Sequence, residues 1–103
     1  MAQLDVYRNP DPATAHDIPY VLDLQCDLLS HLATRVVAPL ERAALVRPMQ
    51  RLNPVFVVEG ERVVMATADL AALHLSELGE RVGSLAEHRD EIIAATDFLI
   101  TGI

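Results

Sequence analysis

Residues 84–103 constrain this chain most. They read as one helix that grows more apolar toward its end. Ser84-Leu85-Ala86-Glu87 has the pattern of a capping box, in which serine takes one free amide and the glutamate another. Glu87, Asp90 and Glu91 then fall near the positive end of the helix dipole. Ile92, Ile93, Ala94, Ala95, Phe98, Leu99 and Ile100 follow, interrupted by Thr96 and Asp97, and Thr101-Gly102-Ile103 adds no polar tail. At about 100° per residue, Leu85, His88, Ile92, Thr96, Leu99 and Ile103 form one stripe, with Ala94 and Phe98 opposite and Ile93 and Ile100 between. A helix apolar on so many sides must be covered on more than one of them. Its own domain covers one. The rest calls for a homodimer interface, a binding surface, or a loop of the same chain folded over it.

Ahead of that helix the chain reads as strands. Leu4–Tyr7 is a first strand, and Asn9-Pro10-Asp11-Pro12 opens a loop over 8–18. Tyr20–Cys26 alternates as a half-buried strand: Tyr20, Leu22, Leu24 and Cys26 on one face, Val21, Asp23 and Gln25 on the other. Thr34–Ala38 is β-branched enough for a third strand before Pro39. Residues 38–49 have helical propensity, but the prolines at 39, 48 and 54 favour an interrupted, extended path. Val55–Val58 and Glu61–Met65 around Glu59-Gly60 are a hairpin. A further short strand falls near Ala71–His74, with a turn at Leu78-Gly79. Strands first and one helix last make a small barrel or curled sheet with a helix packed on it, in a single domain over 1–103.

Composition excludes several function classes. The net charge of −7 disfavours direct nucleic-acid binding, which depends on neutralising phosphates. No apolar run is long enough for a membrane span. Met1-Ala2-Gln3-Leu4-Asp5 lacks the basic and apolar regions of a signal peptide, so a cytoplasmic location is expected. The single cysteine, Cys26, forms no intrachain disulfide and reads as a small buried residue. His16, His31, His74 and His88 are scattered outside metal-ligand spacing, so neither a metal nor another cofactor is expected. Asp23, Gln25 and Asp27 read as the polar row of a solvent-facing strand rather than an acid–base pair. No nucleophile, phosphate-loop or metalloprotease motif occurs, and no catalytic residue is assigned. All eight basic residues are arginine, and Arg35, Arg42, Arg47 and Arg51 fall in one stretch. They form either a solvated surface or a docking strip for an acidic partner segment.

Val6-Tyr7, Leu22-Asp23-Leu24-Gln25-Cys26-Asp27-Leu28-Leu29 and Arg35-Val36-Val37-Ala38-Pro39-Leu40 come in an order that resembles the CcdB toxins of bacterial toxin–antitoxin modules. Leu52-Asn53-Pro54-Val55-Phe56-Val57, the glycine-turn hairpin, Met65-Ala66-Thr67-Ala68-Asp69-Leu70-Ala71 and the terminal Gly-Ile extend the resemblance end to end. It implies a mainly β fold with a C-terminal α-helix: an SH3-like barrel of the CcdB/MazF kind, with a five-stranded antiparallel sheet and a small second sheet. It implies a cytoplasmic homodimer that is not an enzyme. Such toxins bind the A subunit of DNA gyrase and trap its covalent complex with cleaved DNA, and a CcdA-like antitoxin neutralises them. Carried over by position, the gyrase-binding surface is Leu28, Leu29, Ala94, Asp97, Ile100, Thr101, Gly102 and Ile103. The family commonly ends in Trp-Gly-Ile with a nearby asparagine; this chain has Thr101 and Asp97 there. Threonine forfeits aromatic area and a cation–π contact worth about 1–3 kcal/mol per subunit. A runner-up is an endoribonuclease of the related Kid/MazF toxins, using Arg35, His31 and Asp23. A third reading is a CcdB-fold protein with a lost or changed target.

Overall fold

The computed structural model describes residues 2–103, and Met1 lies outside them. Seven strands form one antiparallel sheet: β1 (Asp5–Arg8), β2 (Tyr20–Asp23), β3 (Thr34–Arg42), β4 (Val55–Val58), β5 (Glu61–Met65), β6 (Ala71–His74) and β7 (Arg81–Ser84). The spatial order is β4-β5-β3-β2-β1-β7, and β6 also pairs with β3. Nine-residue β3 joins the sheet together. Its Val37–Leu40 pairs with β2, its Thr34–Val37 with β6 and its Leu40–Arg42 with β5. The two sheets implied by the resemblance are thus continuous through one strand.

The expected mainly β fold with a terminal helix is present, as a curled half-barrel. The β4–β5 hairpin turns at Glu59-Gly60, both with positive φ (51° and 80°), as a primed two-residue turn requires. Its tip reaches across the curl. The Glu59 carboxylate accepts hydrogen bonds from the Tyr20 hydroxyl at 2.7 Å and from Arg8 at 2.9 Å. Alternation supplies the core inside the curl: Val6, Tyr20, Leu22, Ala38, Leu40, Phe56, Val58, Val63 and Met65, closed by Leu85, Ile92 and Ala95. Tyr7, Val21 and Val37 form a smaller cluster with Leu73 and Leu78. β2 is therefore buried on both faces, not one.

Several boundaries differ from the sequence reading. β2 stops at Asp23, and Cys26 lies beyond it, half-buried at the head of a 3-10 turn over Asp27–Leu29. β3 runs through Pro39 to Arg42: on the side away from β2, Pro39 falls between Thr34–Val37, paired with β6, and Leu40–Arg42, paired with β5, so the missing amide breaks neither ladder. The helix does not begin at Ser84. Ser84 ends β7, opposite Asp5, and its hydroxyl accepts from the Ala86 amide at 3.1 Å. A 3-10 turn over Ala86–His88 follows, and the α-helix α1 spans Arg89–Thr101. Strand pairing claims the serine that the capping box needed. No described helix is long and apolar enough to cross a membrane.

Candidate partner-binding surface

α1 lays Ile92 and Ala95 on the core and leaves Ala94, Asp97, Ile100 and Thr101 exposed. The stripe read from the sequence is displaced toward Ala95, and Ile103 is 84% exposed rather than buried. Gly102 caps the helix in the left-handed region, with φ 75°, and its amide bonds to the Phe98 carbonyl at 3.0 Å. The Thr101 hydroxyl turns back on its own backbone. It donates to the Asp97 carbonyl at 2.7 Å and accepts from the Ile103 amide at 3.3 Å. Ile100, 74% exposed, and Ile103 are left projecting from the capped end.

A loop of the same chain does cover one side of the helix. The Arg51 guanidinium lies 4.3 Å from the centre of the Phe98 ring and donates to the Ile103 carbonyl. Arg51 has a positive φ of 71°. Such a conformation costs about 1 kcal/mol or more for a residue with a side chain, so contacts around it must hold it. Of the four-arginine stretch, Arg35 is buried, Arg42 pairs with Glu61, and Arg51 grips the helix end. The stretch is therefore not one continuous basic strip.

Leu28 and Leu29 stand on the Asp27–Leu29 turn, 88% and 45% exposed. Asp27 accepts from the Gln3 amide at 2.8 Å, and the Gln3 side chain accepts from Arg89 at 2.7 Å. That ties the turn to the first residue of α1. Ile100 lies about 16 Å further along the axis at 1.5 Å per residue. Leu28 and Leu29 thus stand beside the start of the helix and Asp97, Ile100, Thr101, Gly102 and Ile103 at its end, with Ala94 between.

Asp23 and Gln25 do not face solvent. Asp23 is fully buried and Gln25 nearly so, and Arg35 is 1% exposed. Arg35 donates to Asp23 Oδ2 through Nε at 3.0 Å and Nη2 at 2.6 Å, and to the Gln25 carbonyl at 3.2 Å. Burial pushes the Asp23 carboxyl up, against the pull of Arg35 and of the Gln25 amide. Register explains the pair: Asp23 lies opposite Val37, which puts Arg35 on the adjoining diagonal of the same face. An aspartate and an arginine on neighbouring apolar strands were the signal in the sequence, obscured because the strand read as half-exposed.

The histidines lie apart from one another in the sequence and in separate parts of the fold. His74 Nδ1 meets Ser76 Oγ at 2.9 Å, and the His88 ring lies 5.1 Å from that of Phe56. His31 is exposed on the turn before β3. Among the described residues, no three His, Cys, Asp or Glu side chains group to hold a metal ion. An open, mostly apolar cavity of about 410 Å³ lies between the 8–18 loop, Val21, Val37 and Leu73.

The sequence model of a family described as CcdB protein matches residues 3–102. Among solved structures, an endoribonuclease in complex with its cognate antitoxin from mycobacterial species superposes with a TM-score of 0.75. It is 16% identical, over 94% of this chain and 91% of that one. An endoribonuclease from mycobacterial species gives 0.72 at 17% identity, over 94% and 88%. The Mycobacterium tuberculosis toxin MazF-mt6 gives 0.66 at 20% identity, over 76% and 81%. At these identities the likeness is one of fold.

Proposed function

The chain belongs to the CcdB family, and from that premise we propose that it is the toxin of a toxin–antitoxin pair, acting without catalysis as a cytoplasmic homodimer on the A subunit of DNA gyrase. The toxin binds the gyrase state in which DNA is cleaved and covalently held, and by binding that state better than the others it traps it. A CcdA-like antitoxin segment that folds on binding neutralises it. The observation that carries this reading is the exposed, capped helix end. Ile100 and Ile103 are 74% and 84% exposed on the helix end that Gly102 caps. Burying such a side chain against a partner is worth about 2 kcal/mol. Thr101, with its hydroxyl spent on its own backbone, adds little, so the surface depends on aliphatic contacts.

The test is a cleavage assay. Purified protein with gyrase and plasmid should give linear DNA, and the antitoxin should abolish it. Removing Gly102 and Ile103 should remove gyrase binding while the protein stays folded and dimeric by gel filtration and circular dichroism. Failure of the truncated chain to fold would mean these residues serve the core.

The fold likeness to endoribonucleases supports a second reading, RNA cleavage without gyrase. Arg35 and Asp23 are sealed against each other, so they are poor candidates to touch a phosphate. RNA fragmentation by the purified protein alone would favour this reading. Inactivity in both assays would leave a CcdB-fold protein with a changed target.

A further inference from the structure

The Asp23–Arg35–Gln25 network is costly for a protein of this size. A buried ion pair is commonly no better than apolar packing of equal volume. Here Arg35 Nη1 also lies buried without a partner among the described residues, which adds a desolvation cost. Such local costs are characteristic of places where a fold serves a site.

The bonds of the network converge on one short segment. Gln25 is held through its backbone, its amide donating to Asp23 Oδ1 at 3.0 Å and its carbonyl accepting from Arg35. That fixes its side chain, whose Nε2 donates to the Leu29 carbonyl at 2.9 Å and whose Oε1 accepts from the Val36 amide at 3.2 Å. The last bond anchors it to β3; the first grips the turn carrying Leu28. Gln3 is a second holder: its amide donates to the Asp27 carboxylate on the turn, and its Nε2 to the Leu24 carbonyl before it at 3.0 Å. Leu28 itself is among the most exposed apolar residues of the chain. An apolar side chain in water on a backbone held by Gln25 and Gln3 is arranged for contact with something else.

We propose that Gln25, locked by the Asp23–Arg35 pair, is a positioning residue: it holds the Asp27–Leu29 turn in its binding conformation so that Leu28 and Leu29 meet the target without a cost of ordering. The inference rests on the reading that these two leucines contact gyrase. Preorganising a loop gains affinity by removing the entropy loss that binding would otherwise incur. Asp23 and Arg35 act one step back, since neither reaches the surface.

Truncating Asp23 or Arg35 alone strands a buried charge and risks unfolding, so the test uses the neutral member. Gln25→Met keeps the volume and loses the bonds. Gln25→Asn, whose amide is one methylene too short to reach Leu29, serves if the methionine variant does not fold. In the full-length protein the expected result has three parts. Amides of residues 27–30 exchange about tenfold faster, while those of β3 and α1 stay protected. Affinity for the gyrase A subunit falls by about tenfold. In a Leu28→Ala/Leu29→Ala background Gln25→Met has no further effect, because it acts only through those side chains. Unchanged exchange at 27–30, or an equal loss of affinity in the alanine background, overturns the inference. A wild-type protein that fails to bind gyrase overturns the functional reading instead, and the exchange result then decides whether Gln25 holds the turn.

Discussion

At Gly102 the backbone leaves α1 with φ 75°, and a Cβ there would meet no atom within 4 Å. Gly102→Ala therefore strains the cap without a clash, at a cost of about 1 kcal/mol. The expected outcome is a small shift in the urea midpoint and a larger loss of partner binding, measured side by side, because the strain re-aims Ile103. Asp5 makes a pH prediction. Burial pushes its carboxyl up, but the hydrogen bond from Arg81 at 3.1 Å and the Ala2 amide at 3.0 Å outweigh that, and it ends below the ordinary 3.8. A carboxyl lowered in the folded state stabilises the fold above its unfolded pKa and loses that contribution as the pH falls through its folded one. Urea unfolding of the wild type and of Asp5→Asn should therefore differ most near neutrality, with the wild type more stable. The gap should close in acid, below pH 3.8. A gap that widens on acidification would reverse the sign.

Within α1 the two faces have separate duties, and substitution should resolve them. Ile92 is fully buried against the strand core, so Ile92→Ala should cost about 2–5 kcal/mol in denaturant unfolding. Ile100→Ala on the exposed face should stay within about 0.5 kcal/mol and act on partner binding alone. The helix was legible because its apolar residues recur at helical spacing; its start was not. Ser84 through Glu87 satisfied the local pattern of a cap, but Asp5 and Val6 of β1 recruit Ser84 and Gly83 into β7. Four residues with a glycine among them carry almost no strand signal of their own. The β4–β5 hairpin was fully legible, since turn and alternation agree there. The site was legible only in part. Leu28, Leu29, Ile100 and Ile103 came from the family resemblance, whereas the clamp beneath Leu28 depends on which strands are neighbours, and alternation alone does not give that.

The whole molecule is a curled sheet of 32 × 30 × 22 Å carrying a net charge of −7. A homodimer of such chains brings like charge together, and added salt screens that repulsion over about 10 Å at 0.1 M. The proposed dimerisation, measured by analytical ultracentrifugation, should therefore tighten as salt rises from about 10 mM to 0.15 M. A dimer that instead weakens with salt would have to be held by cross-subunit ion pairs, with residues such as Arg47 and Arg62 as donors. At this scale the order of the elements along the chain also has a consequence for synthesis. β1, β2 and β3 emerge from the ribosome as a simple meander, but β3 waits for β5 and β6, and β1 waits for β7. α1 follows every strand in the chain and is seated by Ile92 and Ala95 on strands already in place, with Arg51 against Phe98. A helix added to a finished sheet has its inward face chosen for it, and the face that carries Ile100 is what the sheet leaves over.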